Sequence, residues 1–85
     1  MNMNEAKTAA TAFITPRKAA EWAMLDTDHM LWVEDNIMAP AGIQSSICTD
    51  FGAAICEWIE IKLEAQHISN MLDTDAPVRR GTFKC

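Results

Sequence analysis

The chain has 85 residues, with seven Lys or Arg against twelve Asp or Glu, a net charge of -5, and 49% hydrophobic residues. That length allows one domain, and the composition is that of a folded chain, not a disordered one. No apolar run reaches the roughly 18 residues of a membrane helix, and the first residues lack the basic-then-apolar order of a secretory signal, so a cytoplasmic location and no membrane partner are expected.

Residues 1–15 are expected to form an N-terminal arm or a short helix with Asn4 as its cap. Thr15 and Pro16 mark a firmer helix start, because Thr caps well and Pro at the first helical position loses no hydrogen bond. The first main helix is expected over 16–37, with Ala19, Ala23, Met30, Val33 and Ile37 along its apolar centre. Asp26 falls in the middle of that stripe. Either the helix breaks there, with Asp26 or Thr27 capping a new start, or a carboxylate sits at the seam; a continuous helix with a local irregularity is the favoured expectation. Residues 38–44 are a short loop of the kind that joins antiparallel helices, after which Ser45 or Ser46 is expected to cap a second helix.

The second helix carries the strongest pattern. Ile47, Phe51, Ala54, Trp58, Ile61, Ala65, Ile68 and Leu72 are spaced alternately by four and three residues, an unbroken heptad seam. Ile55 and Ile59 widen it on one side, with Cys48. Asp50, Glu57, Glu60 and Glu64 form the opposite, acidic face. Over 47–72 such a helix is about 40 Å long, and the Ala- and Met-rich first helix is too short to cover it. The fold class expected is therefore all-α: a helical hairpin over 16–75, with one long C-terminal helix, that dimerises into a four-helix bundle. A flexible basic tail is expected over 76–85. The pentapeptide Met-Leu-Asp-Thr-Asp occurs at 24–28 and at 71–75. The second copy is expected to end the long helix, and the likeness reads as shared local grammar because the flanks do not match.

Chemistry is sparse. Three cysteines, Cys48, Cys56 and Cys85, are an odd set, unlike a secreted disulfide scaffold. Cys48 and Cys56 are expected on one helix, roughly 12 Å apart and too far for a bridge, as small buried hydrophobes. His29 and His67 lack zinc-site spacing with either cysteine. The Asp-x-Asp pairs at 26–28 and 73–75 do not continue into a calcium loop. No nucleophile elbow and no phosphate-binding glycine loop occurs. No cofactor, no metal and no enzyme activity are expected.

Between residues 19 and 75 one base, Lys62, stands against eleven acids. Such a body repels phosphate, so direct nucleic-acid binding is not expected. On a helical wheel Trp32 falls near Asp28 and Asp35, with Leu25 beside it and Trp22 at the edge; large apolar groups on a polar face form a candidate partner patch. The function expected is a non-catalytic binding module that adapts, inhibits or regulates a larger protein and also pairs with itself. Two alternatives are an acidic mimic of nucleic acid that blocks a DNA- or RNA-binding protein, and a structural subunit of a larger assembly.

Overall fold

The structure, a computed structural model, describes residues 1–80, with side chains as far as Leu72. It is all-α: the described residues form α1 (Met3–Thr11), α2 (Pro16–Ala23), α3 (His29–Val33) running into a π-helical turn (Glu34–Met38), and α4 (Asp50–Arg80). α1 takes the short-helix form of the N-terminal segment. Its cap is Asn2, not Asn4: the Glu5 N–H donates to Asn2 Oδ1 at 2.8 Å and the Asn2 N–H donates to Glu5 Oε1 at 2.9 Å. Two orphan donors are thereby satisfied reciprocally, which fixes the start two residues earlier. Ala6 and Ala10, one turn apart, are fully buried. Their small side chains let α1 lie close against α4.

α2 starts as expected, with the Lys18 N–H donating to Thr15 Oγ1 at 3.2 Å. The expected continuous helix over 16–37 does not form. α2 ends at Ala23, and α3 restarts after Asp28, whose carboxylate accepts from the N–H groups of Met30 and Leu31 at 2.9 and 3.2 Å. The break is capped by Asp28, not by Asp26 or Thr27, and Asp26 stays in solvent. A helix through this point would have held Asp26 in the apolar stripe, where an unpaired carboxylate is costly. Breaking releases it to water and uses the next carboxylate as a cap. The π turn then adds a residue to the coil, so that Val33, Ile37 and Met38 all reach the interior. Lys18 Nζ donates to the Asn36 carbonyl at 2.8 Å and ties this turn back to α2.

After the π turn Gly42 adopts a φ of +77°, open to glycine and strained for other residues. The second long helix does not begin at Ile47. Its cap is Thr49, not Ser45 or Ser46: the Gly52 N–H donates to Thr49 Oγ1 at 2.9 Å, and that hydroxyl donates to the Ser46 carbonyl at 2.7 Å. Ile47 and Cys48 lie ahead of the helix. Ile47 packs against the core and Cys48 is exposed, contrary to its expected burial. At its far end α4 runs through the second Met-Leu-Asp-Thr-Asp to Arg80, so that copy does not end the helix. Residues 76–80 of the expected tail are helical, and 81–85, with Cys85, lie outside the described residues.

α1, α2 and α3 all pack on α4. Pro16 lies beside Asn70, whose Nδ2 donates to the Pro16 carbonyl at 2.9 Å, and Met30 lies beside Ala53 and Ala54. The core is Ala6, Ala10, Ala19, Val33, Ile37, Met38, Ile43, Ile55, Cys56, Ile59 and Leu63. Among the described residues it holds no fully buried aromatic ring. The 31 residues of α4 account for most of the 50 Å long axis.

A candidate docking face on the long helix

α4 presents two apolar stripes, and the other helices cover one. The covered stripe is Gly52, Ile55, Cys56, Ile59 and Leu63, all buried. Ile55 and Ile59 belong to the expected seam. Leu63 was not in it, although its position one turn after Ile59 and two after Ile55 was the available signal. The rest of the seam is not a core. Phe51 and Trp58 are half-buried at its margin, while Ala54, Ile61, Ala65, Ile68 and Leu72 face outward. Ile61 is 59% exposed, Leu72 55% and Ile68 45%. The outward part of the heptad therefore marks the outside of α4, because α1, α2 and α3 settle nearly half a turn away from it.

The outward stripe is a continuous ridge of about 27 Å from Ala54 to Leu72. A groove lies on each side. One, of about 410 Å³, runs between the end of α1 and α4 and is lined by Thr11, Ile14, Trp58, Lys62 and Ala65 among others. The other, of about 360 Å³, is lined by Met30, Ala53, Ala54, Glu57 and Glu60. The Trp58 ring is held by two cations, with the Lys7 and Lys62 ammonium groups each 5.6 Å from its centroid. Such contacts fix the ring and leave the rest of each charge to solvent.

The acidic residues border this ridge and do not oppose it. Asp50, Glu57 and Glu64 are exposed, and Glu60 is half-buried beside Met30. The two edges differ in sign: Glu57 and Glu64 flank one side of the ridge, Lys62 the other. Among the described residues the ion pair present is Arg17–Glu21, at 3.4 Å on the surface. Among those residues Glu57 and Lys62 form no ion pair.

The expected tryptophan patch is not an open apolar face. Trp22 and Trp32 are half-buried and pack on the core, and the Trp22 and His29 rings meet nearly at right angles, their centroids 5.4 Å apart. Leu25 is half-buried, Asp28 is occupied as the α3 cap and Asp35 is exposed. The apolar groups that stand out in this region are Met24, Met30 and Leu31.

Cys56 lies on the covered stripe. Burial pushes its thiol up to about 11, and the nearby carboxylates of Glu60, Glu34 and Asp28 add to the effect. A thiol held neutral is a poor nucleophile and a poor metal ligand. Among the described residues no three His, Cys, Asp or Glu side chains gather as a metal site, and no helix is long and apolar enough to cross a membrane. Comparison with protein-family models, with curated proteins and with solved structures gave no match.

Proposed function

We propose that the protein is a non-catalytic, cytoplasmic binding module that works by helix pairing, as an adaptor, inhibitor or regulator, through the outer face of α4. In this reading the interrupted arm over 16–38 and α4 form a hairpin, and a helix from another chain completes the bundle. One observation carries it. Ile61, Ile68 and Leu72, linked by Ala54 and Ala65 at heptad spacing, keep a helix-pairing pattern on a face that no other described element covers. Covering the exposed half of each large side chain contributes about 1 kcal/mol, so three of them with two intervening alanines give a partner helix a modest hold. The rim of Glu57 and Glu64 favours a partner with a basic edge and discourages phosphate.

A photo-crosslinking residue placed at position 61 or 68 in the native cell tests the reading, with the same residue at Glu21, a solvated position on α2, as control. Crosslinks to a defined chain from 61 and 68, and none from 21, are the expected result. Equal labelling from all three positions, or from none, would overturn it.

A further inference from the structure

We infer that the occupant of the α4 ridge is a second copy of this chain, with its own α4 lying parallel and in register. The inference rests on the docking reading above and adds the partner and its orientation. It comes from the two edges of the ridge. Glu57 and Lys62 are five residues apart, about 140° around the helix, so they sit on opposite sides of the stripe and cannot reach each other within one chain. In a helix pair, parallel packing brings opposite edges together, whereas antiparallel packing brings each edge against itself. Parallel and in register, the first copy's Glu57 meets the partner's Lys62, and the reciprocal pair forms across the two-fold axis. Antiparallel, the edge bearing Glu57 and Glu64 meets its own carboxylates. The charge pattern thus has one orientation in which it complements itself.

The layers agree with this. Ile61 meets Ile61 and Ile68 meets Ile68, with Ala65 between them bringing the backbones close. The end of α1 borders the ridge at its Lys62 edge and Met30 of α3 borders it at its Glu57 edge, so a partner helix seats between them on the strip from Ile61 to Leu72. The strip is about 27 Å long and about 10 Å wide, roughly 300 Å² per copy, well below the roughly 800 Å² of a standard interface. Pairing is therefore weak, with a dissociation constant in the roughly micromolar-to-millimolar range.

Sedimentation velocity on the purified full chain, across roughly that concentration range, reads the pairing. A monomer–dimer equilibrium is expected. Ile61→Glu, at an exposed site, abolishes it while the circular dichroism stays unchanged. Glu57→Lys or Lys62→Glu alone raises the dissociation constant roughly tenfold, because two like-charged contacts replace two attractive ones. The double swap, Glu57→Lys with Lys62→Glu, restores wild-type pairing. Tightening by Glu57→Lys would overturn the parallel arrangement in favour of the antiparallel one. A monomer at every concentration, with crosslinks from position 61 to another protein intact, would overturn the second copy and leave the docking face standing. Loss of both would remove the docking reading as well.

Discussion

The inner and outer faces of α4 are made of nearly the same residues and meet opposite surroundings. Ile55, Ile59 and Leu63 are fully buried; Ile61, Ile68 and Leu72 are about half exposed. What separates them is what lies across from each. The inner face has Gly52 and Cys56 among its large groups, small enough for α1, α2 and α3 to approach. The outer face has Ala54 and Ala65 in the same role, with carboxylates on one edge and Lys62 on the other. The difference teaches that apolar periodicity identifies faces able to pack, and that the neighbours decide which is packed within the chain.

The sharpest way to break this comparison is to shorten one isoleucine on each face. Ile59→Ala removes buried methyl groups from a site with no solvent access, and is expected to cost about 2–5 kcal/mol. Ile61→Ala, at low protein concentration, is expected to change stability by about 0.5 kcal/mol or less. Urea denaturation of the two variants beside the wild type measures both. Equal losses would mean that the outer face is covered, and the assignment of the two stripes would fail.

The same contrast explains what the sequence disclosed. All-α character and the long second helix were legible because a period between three and four runs without a break from Phe51 to Leu72. That Asp50, Glu57 and Glu64 stay in water was legible too; that they border the heptad and do not oppose it was not. The choice of face was not. Two stripes satisfied the same rule, and the heptad seam was expected to serve core and dimer contact together, which left open which of its residues the chain itself would cover. The break in the first helix was visible as Asp26 in an apolar row. That Asp28 would take the cap depended on where α3 had to start so that Val33 and Ile37 faced inward. Trp22, read at the edge of a polar face, is half-buried; Trp32, read on that face, also packs against the core, because a wheel carried through the break does not hold beyond it.

A second contrast sets the small residues of the two faces against each other. A methyl group at position 52 would run into the Ser46 carbonyl oxygen and crowd Thr49 Oγ1. The obstacle is mostly backbone, held in place by the Thr49 hydroxyl that caps α4. Gly52→Ala therefore forces the turn ahead of α4 to shift, and is expected to destabilise by about 1–3 kcal/mol although Ala is the better helix former. Ala54→Leu enlarges the outer face where nothing covers it, and is expected to leave monomer stability within about 0.5 kcal/mol. Thermal denaturation of the pair distinguishes them. A neutral Gly52→Ala would show that the turn over 46–49 is free to move.

The smallest effect is the most specific to the inner face, and it concerns Cys56. In the folded chain burial, followed by the carboxylates of Glu60, Glu34 and Asp28, raises this thiol from 9.0 to about 11. The unfolded chain then loses the proton first as pH rises, so folding favours the protonated form. Its contribution is complete below about pH 9 and is lost as the pH climbs through about 11. At pH 10 the loss is about 1 kcal/mol relative to pH 8. Lysines titrate in the same window, so the informative quantity is the difference between the wild type and Cys56→Ala in the slope of stability against pH. The wild type is expected to fall more steeply between pH 9 and 11. Equal slopes for the wild type and Cys56→Ala would mean that water reaches this thiol, and that the inner face is less tightly covered than the burial of Ile55 and Ile59 on either side of it requires.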